Sequence, residues 1–461
     1  MENSEDIKQI EYIKRGEKLH SFKYLLILAI PMFFELLLQL IVGYSDQIMM
    51  KKYPSAVTAI TNANSILNIV INVFTVFSSA AIIMITRFKG AKDEAAERKV
   101  YSTSFYFNTI VSISISLIIL LLGRYFLKWI GCPSEAYNEA VKYLLICGGL
   151  IFFQLISITL AAFLKANSLM RESMIINVIV NCLNILGNFI LIPHLGIVGV
   201  ALASAISRII GLILMAIIYT IKVGIKFKFS EFVHGNFILK YIGIGVPVSS
   251  ESFSYQTSQL IILVVINSYG QDIVNVKTYA SMFAMVTYLI TEAVSLSMQV
   301  IIGELFGRGD IDGARVKVRQ TLILGVITST LIASIWVIAS NPCFRLFEIT
   351  SDELLLIAKR VMIVDLILEI GRAFNIVFVR TMQTSGDIMF PTILSIIFCW
   401  VVAVGGSFVL GGKNMLGYGL VGVWAAMAAD ECLRAIIFLF RFKSGRWAKL
   451  KTNGGNVWLL V

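Results

Sequence analysis

Long apolar runs recur at short intervals from Tyr24 to Phe440, and nothing else in the chain limits its fold so strongly. The first six read Tyr24–Met50, Ala56–Ile85, Val100–Leu122, Glu139–Leu164, Ser173–Ile192 and Val198–Ile221. The second six read Ile238–Asn267, Val274–Leu305, Val318–Ser340, Glu353–Met382, Phe390–Leu410 and Val421–Phe440. Each has about the 20 residues that a helix needs to cross bilayer hydrocarbon. There every backbone N–H and C=O must find an internal partner, so only helices and closed barrels span. These runs are too long for barrel strands and lack strict alternation. The expected fold is an all-α membrane protein of twelve transmembrane helices in two pseudo-symmetric six-helix lobes.

Composition agrees. Charged residues make up 15% and hydrophobic residues 57% of 461, against roughly a quarter charged in soluble domains. Twelve spans and short loops use up the length, which excludes a soluble catalytic domain. The net charge of +11 does not point to nucleic acid, because the basic residues lie in loops between apolar runs. Lysines and arginines such as Arg87, Lys89, Lys165, Lys222, Lys226, Arg308, Arg319, Arg380 and Arg441 gather on one side. Positive loops mark the cytoplasmic face, so both termini are expected there, in a multi-pass plasma-membrane protein. No apolar stretch precedes Tyr24, so a cleaved signal peptide is not expected; Ile7–Leu19 reads as an interfacial amphipathic helix. The organisation is then a cytoplasmic segment 1–23, a lobe 24–221, a linker 222–237 around His234, a lobe 238–440 and a tail 441–461.

The motifs of soluble chemistry are missing. None of the six cysteines forms a CxxC pair, and Cys132 and Cys343, in loops, are the only candidates for a bond. His20, His194 and His234 are scattered without HExxH, and there is no Walker A or GxSxG sequence. We therefore expect neither an enzyme nor a cofactor or structural metal. Any energy for transport would come from an ion gradient or a partner protein.

The two halves repeat. Pro31-Met-Phe-Phe-Glu35 matches Pro247-Val-Ser-Ser-Glu251, and the turn Gly90–Asp93 matches Gly307–Asp310. Ser134-Glu135 matches Ser351-Asp352, and Gly196–Ala203 matches Gly419–Ala426. The offsets stay within 216–223 residues. With six spans per half, both halves start on the same side, so the repeats are parallel, related by an axis along the membrane normal.

Polar residues in a span should face protein or water. The first span carries Glu35, Gln39 and Asp46 on one helical face; the seventh carries Glu251, Tyr255 and Ser258; the tenth carries Asp365, Glu369 and Arg372. The fifth carries Asn177, Asn181, Asn184 and Asn188, and the second Thr61, Ser65, Asn68 and Asn72. Such stripes describe a hydrated or ligand-lined interior. They also admit a plainer reading. Amides and hydroxyls glue helices together, the Asp365, Glu369 and Arg372 triplet can neutralise itself, and Asp430, Glu431 and Arg434 on the last span read as structural ion pairs. Glu35 and Glu251 have no cation one turn away on their own helix and occupy equivalent repeat positions, so they are candidates for coupling or substrate contact. A carboxyl withdrawn from water can bind and release a proton near neutrality. Pro31 and Pro247 suit either a bend or a helix start. Phe33, Phe253, Tyr255, Tyr279, Met282 and Phe283 are candidates for an adaptable lining, or for simple packing.

From Tyr24 to Phe440 the chain resembles the multidrug and toxic compound extrusion (MATE) family, within the wider group of polysaccharide and lipid flippases. The carriers are Pro31 followed by Asp46, the Lys-Gly-Ala-Lys-Asp turn ending at Asp93, Phe163-Leu164-Lys165, Asn181-Cys-Leu-Asn184, and Val379-Arg380 with Gly386-Asp387 and Pro391. The resemblance implies a MATE-like fold with two lobes around a cavity. It also implies antiport of small organic, often cationic compounds against H+ or Na+, working as a monomer in the lipid bilayer. Asp46 matches the family's first-span aspartate, implicated in coupling, and sodium is expected near Asp46 or Glu251 if sodium is the ion. Two departures stand out. Tyr255 occupies the place of a seventh-span glutamate found in one branch, and Asn188 that of a fifth-span aspartate found in another. The rival expectation is a flippase for a lipid-linked saccharide or other amphiphile, which needs a strongly cationic cavity.

Overall fold

A computed structural model describes residues 2–43, 49, 50, 54–233 and 237–449. Among them the regular structure is helical throughout, with no strand. The first half contains α1 (Glu2–His20), α2 (Phe22–Gly43), α3 (Pro54–Gly90), α4 (Glu94–Trp129), α5 (Ser134–Gly149), α6 (Ile151–Ala166), α7 (Met170–Leu195), α8 (Ile197–Lys222) and α9 (Phe229–Val233). The second contains α10 (Phe237–Asn267), α11 (Gln271–Arg308), α12 (Ile311–Ile338), α13 (Ser340–Leu346), α14 (Asp352–Ser385), α15 (Met389–Phe398), a π-helical turn Cys399–Val404, α16 (Gly405–Gly411), α17 (Gly419–Lys443) and α18 (Arg446–Lys449).

Eight helices are long and apolar enough to span on their own, and α5 with α6, bent by 42°, makes a ninth. The other three spanning segments, α10, α14 and α17, carry polar and charged residues such as Gln256, Gln259, Asp365, Glu369, Asp430 and Glu431, which lower their apolar content. Twelve spans result, as expected. Two details differ from the sequence reading. The run Glu139–Leu164 is broken at Leu150, whose N–H returns to Ile146 O at 3.2 Å. The run Phe390–Leu410 contains the π turn. Neither leaves a proline signal; the break at Leu150 follows Gly148 and Gly149, which lie close against Ile119 and Leu120 of α4.

The chain forms two compact units, residues 34–249 and residues 1–33 with 250–461. The core of the first is built from Leu67, Tyr143, Leu144, Ile151 and Leu155, and that of the second from Ile262, Phe344, Val361, Met362 and Trp424. In the second unit α1 is held by protein contacts. Arg15 Nε lies 2.7 Å from the buried Glu304, the Arg308 guanidinium sits 3.7 Å from the Tyr12 ring centre, and Lys317 Nζ donates to His20 O and Ser21 O at 3.1 and 2.9 Å. None of the six cysteines is in a disulfide.

The repeat is visible in the backbone. Asp93 and Asp310 cap α4 and α12 in the same way, accepting from Ala96 N and Gly313 N at 2.9 and 2.8 Å. Four pairs of left-handed residues match across the halves: Lys92 with Gly309, Gly131 with Glu348, Ser168 with Gly386, and Gly196 with Gly419. Three of these corners use glycine in one half and a side-chain-bearing residue in the other, where the left-handed conformation costs about 1 kcal/mol or more.

Candidate functional site: buried carboxyls in each unit

In the unit 34–249, Glu35 is 2% exposed. It stands one turn beyond Pro31, which lies inside α2 rather than at its start, so the helix-start reading is excluded; Pro247 is likewise interior to α10. Lys165, from the last turn of α6, donates to Glu35 Oε1 at 2.8 Å, and Asn177 of α7 donates to the same oxygen at 3.0 Å. Glu35 Oε2 is buried with no hydrogen-bond partner among the described residues. Higher on the stripe, Asn184 donates to Ser204 of α8 at 2.9 Å and Asn188 to Asn184 at 3.5 Å. The asparagines of α7 thus divide. Asn177 serves a carboxyl, while Asn184 joins α7 to α8 and Asn188 bonds back to Asn184 along α7. Asp46 lies outside the described residues.

In the unit containing 250–461, the counterpart of Glu35 is met from the equivalent place by an amide in place of the ammonium. Glu251 Oε2 receives Gln383 Nε2 at 3.3 Å. Gln383 stands three residues before Gly386 as Lys165 stands three before Ser168, so it holds the repeat position of Lys165; Arg380, one turn earlier, pairs with Glu292 of α11.

Most charge in this unit lies between α14 and α17. Trp424 Nε1 donates to Asp365 Oδ1 at 3.0 Å, and Asp365 Oδ2 is buried with no hydrogen-bond partner among the described residues. Glu369 pairs with Arg372. Arg372 Nε lies 3.6 Å from Glu431 Oε1, Arg434 lies 3.2 Å from Glu431 Oε2, and Arg434 grips Asp430 at 2.6 and 2.9 Å. Asn375 donates to Glu431 as well. Asp430, Glu431 and Arg434 are therefore not isolated ion pairs of the last span; they continue the cluster begun by Asp365, Glu369 and Arg372. The four carboxyls are each under 10% exposed, and two guanidiniums serve them. Ionised charges without partners are too costly at such depth. Neutrality therefore calls for two more positive charges, as protons on carboxyls or as bound cations. Among the described residues no group of three His, Cys, Asp or Glu side chains converges as a metal-ligand set.

Tyr255 is 40% exposed and within electrostatic reach of Arg372 and Glu431. Two aromatic candidates are packing residues: Tyr279 stacks on Phe347 at 4.3 Å and Phe283 on Trp336 at 4.8 Å between ring centres. Reading the sequence missed Lys165, Gln383, Glu292 and Trp424 as partners. Lys165 alone gave a signal, as a cation at the edge of an apolar run.

The model of the MatE family matches residues 31–190 and 247–409. The chain is 29% identical over 428 residues to "Uncharacterized transporter YisQ" of Bacillus subtilis, covering 90% of this chain and 93% of that protein. It is 23% identical over 455 residues to "Probable multidrug resistance protein NorM" of Thermotoga maritima, covering 95% and 96%. Among solved structures, a MOP superfamily transporter from Pyrococcus furiosus, described as having a binding pocket of reverse polarity that suggests a different function, superposes with a TM-score of 0.85 at 19% identity. That likeness covers 95% of this chain and 98% of the other and speaks for the fold.

Proposed function

Because this chain belongs to the MatE family of transporters, we propose that it is a secondary-active antiporter that exports small organic, amphiphilic cations in exchange for protons or sodium. The observation that carries the reading is the excess of buried carboxyls over guanidiniums along Asp365, Glu369, Asp430 and Glu431. Such a cluster changes its preferred surroundings when it gains or loses a cation, and a ligand shifts a conformational balance only by binding one state better than the other. Glu251 extends the coupling machinery in the same unit, and Glu35 with Asp46 serves the other. The names of the relatives support export of drug-like compounds. The protein acts as a monomer in the plasma membrane with both termini cytoplasmic, the side on which its basic loops gather.

A flippase for lipid-linked saccharides calls for a cationic interior, and the carboxyl excess argues against it. The test is transport of a cationic dye in proteoliposomes under imposed proton or sodium gradients, with Glu35→Gln, Asp46→Asn, Glu251→Gln and Asp365→Asn in parallel. We expect one gradient to drive dye movement and Asp365→Asn to uncouple it. Dye movement indifferent to both gradients in the parent overturns the antiport reading.

A further inference from the structure

Between α11 and α12 the second unit carries polar side chains that its ion pairs do not use. Thr291, Ser295 and Gln299 follow one another at four-residue steps on α11, and Thr321, Gly325 and Ser329 do the same on α12, so each set runs along one stripe of its helix. The hydroxyls of Thr291 and Ser329 bond at 2.7 Å, which fixes the antiparallel register and sets Ser295 opposite Gly325 and Gln299 opposite Thr321. All of these residues are buried. Ser295 Oγ, Thr321 Oγ1 and both amide atoms of Gln299 have no hydrogen-bond partner among the described residues, a costly state at membrane depth. Gly325 leaves room beside them. An added Cβ there would meet Thr291 at 3.6 Å and no other neighbouring helix within 4 Å. Where helices press together on a glycine the result differs: at Gly187 and Gly211 the same atom would fall 2.9 Å from Ala203 and 2.7 Å from Val180.

The first half fills the equivalent place with protein. Asn108 of α4 donates to Thr159 Oγ1 at 3.0 Å and to Ser78 Oγ at 3.4 Å, and accepts from the Tyr241 hydroxyl at 3.2 Å. Counted from the matched caps Asp93 and Asp310, Gly325 holds the place of Asn108, Ser295 that of Ser78, and Gln299 that of Ile82. Counted from Ser168 with Gly386 and from Pro31 with Pro247, Val377 holds the place of Thr159 and Leu25 that of Tyr241. The second copy has kept the serine, lost the amide that served it together with that amide's other partners, and gained an amide on the facing helix. We propose that the seam around Gly325 is a built hydration site, in which a small cluster of internal waters held by Ser295, Gln299 and Thr321 braces α11 against α12 as the Asn108 amide braces α3, α4 and α6. A buried water needs two to four polar partners and room for about one probe sphere; the orphaned atoms supply the partners and Gly325 the room. The site stands apart from the choice of substrate and coupling ion.

The test is a structure of the full-length protein in nanodiscs at a resolution that shows ordered water, with thermal unfolding of variants beside it. We expect density about 3 Å from Ser295 Oγ and from the Gln299 amide. Gln299→Leu keeps the bulk but removes the partners of the water, so it should lower Tm by about 1–2 °C; in a dry seam the same change relieves unpaired groups and raises Tm. Gly325→Asn restores the amide of the other half, and should replace the density with its own head group while melting no more than about 1 °C below the parent. A map that shows internal water elsewhere and none here, a higher Tm for Gln299→Leu, or a Tm more than about 3 °C lower for Gly325→Asn each overturns the site. Density about 2.4 Å from the oxygens identifies a bound cation and overturns the assignment to water.

Discussion

The pair Glu35 and Lys165 lets the energetics of one buried carboxyl be measured. Lys165→Met leaves Glu35 at 2% exposure with Asn177 as its one remaining donor among the described residues. Removing one member of a buried ion pair typically costs about 3–5 kcal/mol, because the other charge stays behind. The Lys165 side chain is 20% exposed, so part of the charge interaction is screened and the lower end, about 3 kcal/mol, is the expectation. Glu35→Gln should cost less, about 1–2 kcal/mol, because Lys165 can reach water and the amide keeps the shape. In the double variant no buried charge is stranded, so the loss should fall short of the sum of the two singles by about 2 kcal/mol. For a chain of 461 residues the entropy of melting is about 1 kcal/mol per kelvin on soluble-protein scaling, so Lys165→Met should lower Tm by about 3 °C. The assay is thermal unfolding in one detergent at one pH, for the parent, both singles and the double. If the losses simply add, or if Lys165→Met melts with the parent, the two residues are not an energetic unit.

Three other substitutions test separate parts of the structure. Ser168→Gly should stabilise, because Ser168 has φ 63 where its repeat partner Gly386 has φ 99, and because the hydroxyl it removes is buried and unsatisfied. The net gain is about 1 kcal/mol after the entropy cost of glycine, read as a higher Tm. Arg434→Met should destabilise by about 3 kcal/mol or more, since Arg434 grips Asp430 and also meets Glu431; adding Asp430→Asn should recover part of the loss in the same melt. Trp424→Phe removes the donor to Asp365 Oδ1. It should cost about 1–3 kcal/mol, and a Tm unchanged from the parent would mean that Asp365 has another donor.

Much of the fold was legible because a bilayer imposes length on every span. The twelve runs and the repeat are both present as helices and corners, and Pro31 with Glu35 and Pro247 with Glu251 sit where the internal match put them. Helical periodicity also placed Asp365, Glu369 and Arg372 on one face, which the structure joins into a cluster with α17. Partnership between helices was not legible. No spacing on α2 says that Lys165 of α6 will reach Glu35, and nothing on α14 says that Glu431 will lie 3.6 Å from Arg372. Those contacts depend on which faces meet and how closely the backbones approach. At Gly371, for example, an added Cβ would come within 2.9 Å of Cys432 N on α17.

The matched corners, with glycine in one copy and lysine, serine or glutamate in the other, have a use beyond describing ancestry. Each half supplies a tested replacement part for its twin, so a hybrid in which a corner of one copy is transplanted into the other needs no new backbone design. A graded set of such hybrids would separate what each copy must keep for its own task from what both inherited as common scaffolding.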